Sequence, residues 1–199
     1  SPHMSWRCCQ RRHETSDYQG IGNDFHLEGA RKNFLPNYGF KIQAIDIDIT
    51  PDFETESISA TCKLTCLVTR SEGLKQFVFE QIELVIQQVS LTVAGTNKAA
   101  PFILDDTSVT VKTDLIAADS VIDIEFEYYS KPRWGLVFML PNVSDPLKAK
   151  QLWSLNQDQY AKCWMPCHDT PQARAPFAIT VRCPEEMLAV SNGACISDT

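Results

Sequence analysis

The chain has 199 residues, 44% of them hydrophobic and 22% charged, with a formal net charge of −7 at pH 7. Folded as one domain, a chain of this length buries about 70% of its unfolded surface, and the balance is that of an ordinary globular protein. The acidic surplus excludes a nucleic-acid footprint, which needs clustered Lys and Arg. No apolar run approaches the ~20 residues of a bilayer span, and no signal-peptide core lies near the start.

In chain order, Ser1-Pro2-His3 reads as a cloning remnant ahead of an initiator Met4. The stretch from Ser5 to Lys32 has no apolar periodicity, so residues 1–33 are expected to form a loosely ordered tail. Cys8-Cys9 beside Arg7, Arg11 and Arg12 would suit palmitoylation at a membrane surface, but paired cysteines in a tail are not by themselves a lipidation signal. The reading is an inert tail, with a single domain over residues 34–199.

From Phe40 onward the periodicity is two. Phe40–Thr50 opens the series, with Ile45, Ile47 and Ile49 alternating against Asp46 and Asp48. A parity break at Ala44-Ile45 predicts a bulge. In Ser57–Thr69 the residues Ile58, Ala60, Cys62, Leu64, Cys66 and Val68 share one face, a half-buried strand in which the cysteines act as small core hydrophobes. Phe77–Phe79, Glu80–Ile86, Val89–Val93 and Val109–Val111 are further strands. Ile122, Ile124, Phe126 and Tyr128 alternate with Asp123, Glu125 and Glu127, and Leu136–Leu140, Phe177–Arg182 and Met187–Val190 complete the set. Glu72-Gly73, Ala94-Gly95-Thr96-Asn97, Asp105-Asp106, Lys131-Pro132 and Asn192-Gly193 mark turns. Many short alternating strands and no confident helix predict an all-β, antiparallel sandwich. Alternation lapses from Asn142 to Thr170, and a loop of that length in a compact domain is where function concentrates.

Catalytic patterns are missing. There is no H-E-x-x-H, and His3, His13, His26 and His168 are scattered. Cys163, Cys167 and His168 are soft donors, but their spacing belongs to no common zinc motif. No G-x-S-x-G elbow, P-loop or dinucleotide fingerprint occurs, and Gly20-Ile21-Gly22 has no strand before it. The chain itself is expected to be non-catalytic and to bind no cofactor or metal. The eight cysteines fall short of a disulfide scaffold. Without a secretory signal they are expected to be reduced, in the cytoplasm, and the sequon Asn142-Val143-Ser144 then carries no meaning.

The run Cys163-Trp164-Met165-Pro166-Cys167-His168-Asp169-Thr170-Pro171, followed by Arg174-Ala175-Pro176-Phe177 and Ser191-Asn192-Gly193, resembles a known signature. It is similar to the P-C-x-D-x-P…[KR]-A-x-F…S-N-G pattern that closes the N-terminal domain of zinc aminopeptidases related to aminopeptidase N. Gly135-Leu136-Val137-Phe138 resembles the family's G-L-Y/F-F strand, and Trp153-Ser154-Leu155-Asn156-Gln157 its W-T-Q-G-Q segment.

The resemblance implies a saddle-shaped β-sandwich packed on a thermolysin-like zinc domain. That catalytic domain, with its zinc, is expected beyond Thr199, and peptides would be the substrates of the whole protein. The loop before P-C-x-D would reach the cleft, where Gln157 would accept a hydrogen bond from the substrate's α-ammonium. Leu155 and Asn156 depart from the family's glutamine and glycine, and Lys162 stands where arginine is common. Leu155 keeps open a different role, a non-catalytic aminopeptidase-like scaffold or interaction module. Asp169 would cap its own turn, Trp164 and Phe177 would be core anchors, and Asn192-Gly193 a tight hairpin turn.

Overall fold

Strand β1, Phe40–Asp52, shows how the sequence sets the architecture. The computed structural model describes residues 36–197, so the expected remnant and tail at residues 1–33, with Cys8 and Cys9, lie outside the described residues. In β1, Phe40 and Ile42 are buried on one parity and Ile47 and Ile49 on the other. A register shift between Ile42 and Ala44 makes the switch, a bulge within a residue or two of the expected parity break. The extra residue turns Asp46 outward, where its carboxylate meets Lys63.

Next come β2 (Ser57–Val68), β3 (Leu74–Glu80), β4 (Val85–Val93), β5 (Thr96–Ala99) and β6 (Phe102–Leu104). They are followed by β7 (Ser108–Ile116), β8 (Val121–Ser130), β9 (Gly135–Met139), β10 (Gln151–Leu155) and β11 (Phe177–Val181). Six strands form one sheet in the order β11-β1-β2-β8-β4-β5. A three-stranded sheet runs β3-β7-β6, and β9 and β10 form a separate two-stranded ribbon. Pairing is antiparallel except for β11, which runs parallel to β1. Gly39–Thr199 is one compact unit.

The core lies between the six- and three-stranded sheets. Leu64, Cys62, Cys66 and Val68 of β2 are fully buried, as are Ile124 and Phe126 of β8. They face Phe77 and Phe79 of β3 and Val109 and Val111 of β7, all equally buried. Phe79 meets Phe126 edge-on at 5.4 Å, and Phe40 meets Phe77 at 4.9 Å, so aromatic pairs knit the layers. The all-β sandwich expected from the alternation is the observed fold.

Four local expectations are corrected. The run 81–84 is not strand: Glu83 takes φ 57°, and buried Gln81 folds its side chain back to accept from the Leu84 N–H at 3.0 Å and donate to the Asp105 carbonyl. A side chain that satisfies local backbone groups competes with the ladder. Met187–Val190 is irregular, with Leu188 and Val190 exposed, because no strand among the described residues pairs with it. Consequently Asn192-Gly193 makes only a bend, with Gly193 at φ 100°, rather than a hairpin. Phe177 is 46% exposed, not a core anchor, since β11 is an edge strand. Three short strands, β5, β6 and β10, were not anticipated; Ala94 and Gly95 both take positive φ and close β4 onto β5 as a two-residue hairpin.

Candidate functional site

The segment from Asn142 to Thr170 is more ordered than its composition suggests. It contains β10, a short 3-10 turn at Ala161–Cys163, and a bridge between Cys167 and Glu80. β10 pairs with β9 so that Leu155 lies opposite Gly135 and Trp153 opposite Val137. Gly135 has φ 86°, and a Cβ there would sit 2.3 Å from the Tyr160 carbonyl oxygen. Only glycine admits that approach, which tucks the loop after β10 against the start of β9.

From that point the chain is tied to both sheets. The Tyr128 hydroxyl donates to the Trp164 carbonyl at 2.9 Å and Ser130 Oγ to the Cys163 carbonyl at 3.2 Å, both from β8. On the other sheet, Glu80 and Cys167 exchange backbone hydrogen bonds of 2.8 and 3.1 Å, and the Ile82 N–H donates to the Lys162 carbonyl. His168 Nε2 lies 3.0 Å from the Val78 carbonyl, and its ring stacks on Phe79 at 5.7 Å. Burial holds this imidazole below its usual value of 6.5, because the charged form is desolvated there.

Lys162 is the buried charge of the site. Its Nζ lies 3.3 Å from Glu80 Oε2, with the two side chains 6% and 15% exposed. Its backbone N–H donates to Asp169 Oδ2 at 3.3 Å, so the motif aspartate reaches back across the 3-10 turn, a role not foreseen for it. Trp164 is the expected core anchor, 4% exposed, and its Nε1 donates to Asn156 Oδ1 at 2.9 Å. Pro166 and Cys167 are buried beside it.

Gln157 is exposed in the turn after β10, and its side chain has no hydrogen-bond partner among the described residues. Leu155 and Trp153 are 49% and 42% exposed on the preceding strand. Trp134 stacks on Tyr160 at 5.4 Å, just past the loop. A groove of about 580 Å³ opens elsewhere along β9, lined by Glu56, Glu83, Tyr129, Lys131, Arg133 and Phe138 among others, with Arg133 paired to Glu83 at 3.3 Å.

Among the described residues no group of three or more His, Cys, Asp or Glu side chains is placed to hold a metal ion. Burial pushes the Cys62, Cys66 and Cys167 thiols up, so these side chains stay protonated in the core. No helix among the described residues is long and apolar enough to cross a membrane.

Residues 41–199 match the family described as Peptidase M1 N-terminal domain. The chain belongs to that family. It is 27% identical over 158 residues to leucine aminopeptidase 2-1 of Meyerozyma guilliermondii, covering 75% of this chain and 25% of that protein. Its fold is shared with yeast LTA4 hydrolase in complex with bestatin, with a TM-score of 0.67 and 18% identity over 86% of this chain and 28% of the other. It is shared too with an M1 zinc metallopeptidase from Deinococcus radiodurans, at a TM-score of 0.56 and 17% identity over 73% and 32% of the two chains. The chain thus spans about a quarter of the curated relative it matches. It is an N-terminal domain of the M1 zinc aminopeptidase family.

Sequence reasoning did not find the Lys162 partner Glu80, 82 residues away, nor the two hydroxyls from β8. One signal was available. Tyr128 and Ser130 continue the inward parity of Ile122, Ile124 and Phe126, so a hydroxyl-bearing end to that buried row was legible.

Proposed function

We propose that this domain forms one wall of the substrate cleft of a zinc-dependent aminopeptidase that removes N-terminal residues from peptides. The domain is not itself catalytic in this reading. The zinc would be held by a catalytic domain elsewhere in a longer protein, and there it would activate water for attack on the first peptide bond. Gln157 would accept a hydrogen bond from the substrate's α-ammonium, which offers three donors. The observation that carries this reading is the combination of an exposed, unbonded Gln157 with a loop fastened to both sheets. Holding the neighbouring backbone in place limits the ordering on binding to the rotamers of the Gln157 side chain itself. Cys62, Cys66, Cys167, Cys183 and Cys195 stand outside any disulfide, which fits a reducing, cytoplasmic setting.

The test is kinetic. In the longer gene product, Gln157→Ala should raise KM for aminoacyl-anilides about tenfold with kcat little changed, as loss of a hydrogen bond to a charged group predicts. An unchanged KM would refute the role of Gln157. Zinc-dependent turnover by the 199-residue chain alone would refute the division of labour.

A second reading is favoured by Leu155, 49% exposed where an acceptor side chain would be expected to meet a peptide. A leucine makes no such hydrogen bond, and the domain would then serve a non-catalytic scaffold. The reading frame past Thr199 discriminates: H-E-x-x-H with a later glutamate supports the enzyme, and degraded ligands support the scaffold.

A further inference from the structure

Between the exposed Gln157 and the buried frame stands one residue, Asn156, held at both its side chain and its backbone. Its Oδ1 accepts from Trp164 Nε1 at 2.9 Å, and its carbonyl accepts from the Tyr160 N–H at 3.1 Å. Trp164 is itself fixed, because its carbonyl accepts from the Tyr128 hydroxyl on β8 and its side chain is buried, 4% exposed. Asn156 is therefore linked through one buried indole to the six-stranded sheet, while the next side chain along projects without a partner. A hydrogen bond of this kind does little for catalysis directly; it decides where the neighbouring side chain stands.

We propose that Asn156 is a positioning residue, latched by the Trp164 indole, that sets the Gln157 acceptor at the height of the substrate's amino group. The proposal rests on the reading of Gln157 given above. The interactions run in sequence from Tyr128 to Trp164 to Asn156, and each link is a single hydrogen bond, so removing either partner of the last one should have the same effect. Asn156→Gly deletes the acceptor. Trp164→Phe keeps an aromatic ring in the core and deletes the donor together with part of the indole's volume.

Two measurements test it. In the 199-residue chain, the Trp164 indole N–H should exchange slowly with solvent and become fast in Asn156→Gly, read from its resonance in a nitrogen-15 correlation spectrum. Slow exchange persisting in that variant would overturn the latch. In the longer enzyme, Asn156→Gly and Trp164→Phe should each raise KM for an aminoacyl-anilide about fivefold, the size of one net hydrogen bond. Turnover at saturation should change less than about twofold. The double variant should be no worse than either single, because both remove one interaction. Asn156→Asp, which keeps the acceptor oxygen, should hold KM at or below the wild-type value. A merely structural role would lower the melting temperature without this split or this rescue. If Gln157→Ala raises KM and Asn156→Gly does not, the latch is overturned and the Gln157 reading stands. If neither variant moves KM, the Gln157 reading fails and the latch falls with it.

Discussion

Gly135→Ala places a methyl group where the Tyr160 carbonyl oxygen approaches to 2.3 Å, well inside the 3.0 Å that real Cβ contacts keep. The atom that must move is backbone, and it also accepts the Cys163 N–H that closes the 3-10 turn at 3.1 Å. Trp164 Cδ1, 2.8 Å from the same Cβ position, is a second clash. Overpacking of this kind costs about 1–3 kcal/mol. The left-handed φ of 86° adds about 1–2 kcal/mol for a residue with a Cβ. The variant should therefore lose about 3 kcal/mol, a fall of roughly 8 °C in melting temperature for a domain of this size. Gly95→Ala is the internal control: its φ of 79° is similar, but a Cβ there meets nothing within 4 Å. It should lose only about 1 kcal/mol, the conformational part alone. Urea unfolding of both variants gives the two values, and their difference isolates the carbonyl contact. Equal losses would refute the claim that close approach, rather than backbone angle, selects glycine at the start of β9.

Lys162→Met leaves the Glu80 carboxylate without its ammonium at a site 15% exposed, and should destabilise by about 3 kcal/mol in urea unfolding. Adding Glu80→Gln should recover most of that loss; a double variant as unstable as the single would show that packing, not charge, holds the turn. His168 titrates below its usual 6.5 because burial disfavours its charged form, so the unfolded chain binds more protons in that window. Stability should be flat above about pH 6.5 and decline as pH falls below it, and His168→Gln should flatten that part of the melting-temperature profile. Alkylation of the native protein, followed by peptide mapping, should label exposed Cys195 well before Cys62 or Cys66, whose thiols are buried and pushed up.

The alternation in β2 and β8 was legible because each strand buries one face only, and a period of two writes that asymmetry directly into the residues. The bulge in β1 was legible for the same reason, as a change of parity. The turn at Gln81–Leu84 was not, because Ile82, Leu84 and Ile86 mimic a strand while the side chain of Gln81 organises a local bend. Met187–Val190 has strand-like residues but no ladder partner among the described residues, and pairing is a non-local fact that composition does not carry. In the site, the motif residues were found by likeness, yet the bonds that make them a unit join positions 36 and 82 residues apart. Only the folded chain brings Tyr128, Glu80 and Lys162 together.

The double fastening of the Cys163–Cys167 stretch also governs how that stretch fluctuates. A surface loop held by its own contacts opens with little free energy, and its amides exchange through local fraying. Here the Glu80 and Cys167 amides, which bond each other across the two elements, are released only when a margin of the three-stranded sheet parts. Deuterium uptake at those amides should then rise with denaturant along a slope above that of local fraying and below that of whole-domain unfolding, which makes this loop a rigid fixture rather than a moving lid.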